Sequence, residues 1–141
     1  MACVGLVIHE DRPEAVAQAG QLAERLSGQG HVVYRSDESD AEADVFFGHL
    51  DLVVSMGGDG SILRAVHLLG GRSVPVLGVN FGHLGYLTTV APAEAFDAVN
   101  RVLVGDHDLE ERMMLRVVVD RSDGSAEVLD YCLLYTSPRP R

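Results

Sequence analysis

Gly57-Gly58-Asp59-Gly60-Ser61 is the stretch whose residue types and spacing could do chemistry. It follows a short apolar run, Leu52-Val53-Val54, and precedes Ile62, Leu63, Ala65, Val66 and Leu69 at helical spacing. A strand, a glycine turn and a helix in that order aim backbone N–H groups and a helix N-terminus at an anion, above all a phosphate. Glycine at positions 57, 58 and 60 keeps Cβ atoms out of the way of a bulky anion. Asp59 is the odd member, because a carboxylate in such a turn repels a phosphate. It must serve another end, and two fit: holding a metal ion, or taking a proton from an attacking hydroxyl. Gly-Gly and Asp-Gly are also ordinary turn dipeptides, so the stretch alone leaves a plain turn open.

A second glycine-rich stretch, Gly78–Thr88 (G-V-N-F-G-H-L-G-Y-L-T), follows the apolar run Val74–Val79. Asn80 offers both a donor and an acceptor, and the Tyr86 ring could stack on a base. Taken singly, each also suits a plain structural role, a turn-stabilising Asn and a half-buried Tyr. Two loops that leave the C-terminal ends of strands in an open parallel sheet would converge on one crevice.

The elements that must position these stretches alternate. Ala2–Ile8 reads as a buried parallel strand. A helix begins at Asp11, with Asp11 and Glu14 at capping-box-like spacing and Pro13 in the first turn. Val16, Ala19, Leu22, Ala23 and Leu26 form its inner face, and Gly28 and Gly30 stop it. His31–Tyr34 is a second strand, with His31 an ordinary strand-start residue rather than a metal ligand. Asp37–Asp44 is an acidic run that reads as a solvated loop, without the fixed spacing of a cation site. Leu50–Ser55 is the third strand, a helix runs from Ser61 to Gly70-Gly71, and Val74–Val79 is the fourth strand. Pro92–Val104 is an amphipathic helix with Ala95, Phe96, Val99 and Leu103 inward. Beyond Gly105 the pattern changes to Leu109–Val119 and Glu127–Leu134, joined at Asp123-Gly124 as a hairpin. The fold class expected is α/β, an open, mainly parallel sheet with flanking helices, followed by the start of an antiparallel β domain. Residues 1–105 would be a nucleotide-binding domain and 106–132 the first hairpin of a truncated β-rich domain. Residues 133–141, with two Pro and two Arg in Pro138-Arg139-Pro140-Arg141, look like a truncated or non-native tail.

Composition narrows the partners. The 141-residue chain has a formal net charge of −10 and a pI of about 4.8, against a non-specific nucleic-acid binder, which needs a basic face. A nucleotide ligand is not excluded, since a local patch of N–H groups and a few Arg suffice. Cys3 and Cys132 are far apart, without metal-ligand spacing, and fit a reducing cytoplasm. Met1–Ile8 lacks the basic start and cleavage site of a signal peptide, and no apolar run approaches the roughly 18–20 residues of a membrane span.

With both stretches in order, the chain resembles the NAD kinase family from Val4 to about Tyr131. Gly57-Gly58-Asp59-Gly60-Ser61 is similar to that family's Gly-Gly-Asp-Gly-Thr/Ser motif, and Gly78–Thr88 to its Gly-x-Asn-x-Gly-x-Leu-Gly-Phe/Tyr-Leu motif. Glu111-Arg112-Met113-Met114-Leu115 resembles the entry into its β domain. The resemblance implies transfer of the γ-phosphoryl of ATP to the 2′-hydroxyl of the adenosine ribose of NAD, with Mg²⁺. It implies Asp59 as general base, Gly57, Gly58, Gly60 and Ser61 as the phosphate turn, Arg64 facing a phosphate or ribose, and Tyr86 beside the adenine. It implies a homo-oligomer when full length. The chain departs from the family where an Ala-Leu-Asn-Glu motif is due: Tyr131-Cys132-Leu133-Leu134-Tyr135 stands there, with Leu134 and Tyr135 in the Asn and Glu places. The first motif is shared with diacylglycerol-type lipid kinases, against which the second argues. A non-catalytic nucleotide-binding module is the other alternative.

Overall fold

The computed structural model describes residues 1–37, 49–83 and 85–132. Four parallel strands form one sheet: β1 (Cys3–Ile8), β2 (Val32–Arg35), β3 (Leu52–Gly57) and β4 (Val76–Asn80), in the order β2-β1-β3-β4. The register is continuous, with Val4 opposite Leu52 and Ile8 opposite Met56, then Val53 opposite Val76 and Gly57 opposite Asn80. All of β3 is buried, as is β1 beyond Cys3. Unbroken apolar runs are what a parallel sheet needs when both faces are covered.

The helices supply that cover. Ala15, Ala19, Leu22 and Leu26 of α1 (Pro13–Gly28) and Ala95 and Val99 of α3 (Ala95–Leu103) pack with Val4, Leu6, Ile8, Leu52, Val54 and Met56 on one face. Ala65 and Leu69 of α2 (Asp59–Leu69) pack with Val7, Leu50 and Val53 on the other. The doubly wound α/β arrangement expected from the sequence is therefore present.

Several boundaries differ for physical reasons. α1 begins at Pro13, not Asp11: Pro13 takes the first helical position, Arg12 stands at the N-cap, and no side chain caps the helix. α2 begins at Asp59, two residues before Ser61, with extended Gly58 at its N-cap. Asp59 and Gly60 are thus first-turn helical residues, where a carboxylate suits the helix dipole. β4 starts after Pro75, which has no N–H for the ladder. The Pro92–Val104 segment opens as a 3₁₀ turn, Pro92–Glu94, before α3. Of the acidic run, Asp37 is not a solvated loop residue: it holds Arg35 through two hydrogen bonds of 2.9 and 2.7 Å. The rest of that run, and the segment 133–141, lie outside the described residues.

The antiparallel pair is β5 (Met114–Asp120) with β6 (Ala126–Cys132), in register from Met114–Cys132 to Asp120–Ala126. β6 lies beside α2. None of the described side chains from 104 to 128 is buried, and Leu115, Val118 and Val128 remain 45%, 57% and 56% exposed. Among the described residues, no helix is long and apolar enough to cross a membrane.

Candidate active site

β1 and β3 lie side by side, yet the chain leaves β1 for β2 on one side and β3 for β4 on the other. That is a topological switch point, and a crevice forms beyond the strands' C-terminal ends there. The His9 N–H donates to the Met56 carbonyl at 2.9 Å, which keeps the two strand ends together. A cleft of about 490 Å³ follows, lined by His9, Glu10, Asp11 and Arg12 from the β1–α1 loop and by Gly58, Gly60, Ser61 and Arg64 from the start of α2. The first N–H groups of a helix have no acceptor within it, so they face whatever enters.

The glycines divide in their work. A Cβ on Gly58 or Gly60 would meet nothing within 4 Å, so these two leave room for a ligand. A Cβ on Gly57 would collide with the Ser61 hydroxyl and come within 3.0 Å of the His9 Cβ. Internal packing alone therefore requires glycine at position 57.

Asp59 has a function beyond the two that its residue type suggested. Its Oδ2 accepts the Tyr86 N–H at 2.8 Å, and its Oδ1 accepts those of Leu87 at 2.9 Å and Thr88 at 3.4 Å. The carboxylate clasps the second glycine-rich stretch to the first. Gly85 makes this possible, since a Cβ there would collide with the carboxylate. Burial works against the charge, but the N–H groups of Tyr86, Leu87 and Thr88 outweigh it and hold the Asp59 carboxyl below its ordinary pKa. Asp59 is thus an anion at neutral pH.

The remaining candidates are placed as follows. Arg64 reaches the cleft with a single long bond, 3.5 Å from Nη1 to the Ile8 carbonyl. Tyr86 offers its backbone to Asp59, while its side chain is 86% exposed. Asn80 ends β4 opposite Gly57, its N–H donates to the Val90 carbonyl, and its Oδ1 is buried without a partner among the described residues. Leu84 lies outside the described residues. Among the described residues, no group of three or more His, Cys, Asp or Glu converges as a metal site. Sequence reasoning missed His9–Arg12. The available signal was their position just after the first strand of a sheet that switches direction beside it.

A doubly wound sheet with a polar cleft against a glycine-capped helix N-terminus defines an α/β protein whose cleft lies at the switch point of its sheet. The family model for the ATP-NAD kinase N-terminal domain matches residues 35–107, and the chain belongs to that family. It is 38% identical over 150 aligned positions to the NAD kinase of Symbiobacterium thermophilum, covering 96% of this chain and 52% of that one. Its fold matches a yeast NADH kinase complexed with NADH at a TM-score of 0.77 and 18% identity, over 92% of this chain and 44% of that one. It also matches an NAD kinase from Archaeoglobus fulgidus in complex with ATP at a TM-score of 0.54 and 22% identity, over 83% and 40%. The chain spans about half the length of the NAD kinases it matches. The match runs through both glycine-rich stretches and does not favour the lipid-kinase alternative.

Proposed function

We propose that this chain carries the phosphate-binding half of an NAD kinase, which transfers the γ-phosphoryl of ATP to the 2′-hydroxyl of the adenosine ribose of NAD. The Asp59 clasp carries the reading. It joins the two family motifs at a helix N-terminus, beside a cleft large enough for a phosphate chain. The solved relatives whose fold the chain shares were captured with NADH and with ATP, which supports nucleotide partners.

In this reading Gly58, Gly60 and Ser61 present the α2 N-terminus to the phosphates, and Arg64 neutralises their charge. Asp59 takes the proton of the ribose hydroxyl as its oxygen bonds to the γ-phosphorus. The bond to the β–γ bridging oxygen breaks and ADP leaves. Oδ2 accepts one N–H and so keeps a lone pair for that proton. Tyr86 has an exposed ring free to lie along a base. Mg²⁺ would enter on the ATP phosphates and offset their charge. The two distant cysteines support a cytoplasmic setting, and the family resemblance supports self-association in the full-length enzyme.

The test compares two variants of the full-length enzyme. Asp59→Asn removes the base but also puts an amide NH₂ against backbone donors, whereas Gly85→Ala disturbs the clasp and keeps the carboxylate. As general base, Asp59 makes the first variant lose about 10²–10⁴-fold in kcat and far more than the second. Near-wild-type NADP formation by Asp59→Asn contradicts the assignment.

A further inference from the structure

We propose that Arg12 and Arg64 form a two-arginine clamp for the terminal phosphates of a ligand with linked phosphates, and that Gly82 of the second glycine-rich stretch is the seat that fixes Arg12. The inference rests on the phosphoryl-donor reading above and extends it to a loop outside both family motifs.

Three observations carry it. Arg12 and Arg64 both line the cleft that holds the α2 N-terminus. Both are uncommitted: Arg35, Arg101, Arg112 and Arg121 each hold a carboxylate, whereas Arg64 makes only its long bond to Ile8 and the Arg12 guanidinium has no ion pair among the described residues. In a chain of net charge −10, uncommitted arginines facing one cleft are well placed for an anion from outside. Finally, Arg12 is seated. Gly82 has φ of +135°, and a Cβ there would come within 2.8 Å of Arg12 Nη1 and 3.2 Å of its Cζ. The guanidinium therefore lies against the Gly82 backbone, and its place depends on the stretch that Asp59 also clasps.

Glu10 and Asp11 share the same wall. With both arginines present the side-chain carboxylates of the lining are balanced, and loss of either leaves an excess of negative charge facing the phosphates. The planar fork of Arg suits two phosphate oxygens at once, which the point charge of Lys does not.

The test is calorimetric titration of the 141-residue chain with inorganic tripolyphosphate, ATP and AMP. The clamp predicts that tripolyphosphate and ATP bind, and that AMP binds at least about tenfold more weakly. Arg12→Gln and Arg64→Gln each weaken tripolyphosphate about tenfold or more and leave AMP unchanged, and Arg12→Lys recovers only part of the loss. Gly82→Ala, which displaces Arg12 while keeping its charge, weakens tripolyphosphate in the same direction and decides the matter if Arg12→Gln does not fold. Tighter binding of ATP than of tripolyphosphate supports a clamp for a nucleoside triphosphate, and equal affinity supports one for the phosphate chain alone. Wild-type affinity for ATP and tripolyphosphate in Arg12→Gln overturns the clamp and leaves the kinase reading standing. Failure of the unmodified chain to bind either ligand overturns both.

Discussion

β1 and β5 are both rich in aliphatic residues: Val4-Gly5-Leu6-Val7-Ile8 in one, Leu115-Arg116-Val117-Val118-Val119 in the other. Both become strands, yet every residue of β1 from Val4 on is buried and no residue of β5 is. β1 has a strand on each side and helices over both faces of its sheet, whereas β5 has one partner strand among the described residues. Local pattern made both into strands. Burial came from distant segments, which among the described residues cover the α/β part.

The largest expected effect tests that difference directly. Leu6→Ala opens a cavity under α1 and α3 and should cost about 2–5 kcal/mol, while Val118→Ala in the hairpin should stay within about 0.5 kcal/mol. Urea unfolding of both variants checks this, and equal losses would mean that the hairpin is part of the same cooperative core.

Next come two glycines that look alike in sequence. Gly85→Ala drives a methyl onto the Asp59 carboxylate and should cost about 1–3 kcal/mol through the lost clasp. Gly58→Val meets open space and an extended backbone, so stability should change by less than about 0.5 kcal/mol. Gly58 lines the cleft, however, and the same change should abolish detectable ATP binding. Thermal unfolding and calorimetry separate the two effects, and unchanged ATP affinity in Gly58→Val would make the turn purely structural.

The smallest effect compares two ion pairs. Arg35–Asp37 is mostly shielded, with side chains 16% and 15% exposed, while Arg121–Glu127 on the hairpin is 57% and 46% exposed. The hydrogen bonds from Arg35 hold the Asp37 carboxyl below its ordinary pKa of 3.8, against the opposing effect of burial. A lowered folded pKa means stability that is fully present above 3.8 and lost as pH falls through the folded value. Asp37→Asn should therefore cost about 1 kcal/mol at pH 7 and nothing once the pH is below both values. Breaking the hairpin pair with Glu127→Gln should cost too little to measure. A pH-independent loss in Asp37→Asn would contradict the ion-pair account.

Much of this was legible in the sequence, for identifiable reasons. The apolar runs of β1, β3 and β4 and the spacing of Ala15, Ala19, Leu22 and Leu26 are signals that burial on a sheet imposes. The clasp was not legible, because the partners of Asp59 are backbone N–H groups, which every residue but proline carries. Gly57 and Gly58 are adjacent identical residues, and only packing shows that one faces Ser61 and the other the cleft. His9-Glu10-Asp11-Arg12 reads as a polar turn until the strand order puts it at the switch point. The start of α2 was misread because Gly60 is a poor helix former, and the first turn tolerates it.

If the proposed function holds, the start of α2 and the stretch it clasps form one nucleotide site within the α/β layer. Amide hydrogen exchange of the chain with and without saturating ATP tests it most directly. The account predicts slower exchange at residues 9–12, 57–64 and 85–88 on adding ATP, with residues 114–132 unchanged. ATP binding that leaves residues 57–64 unaltered, or slowing confined to the hairpin, would contradict it.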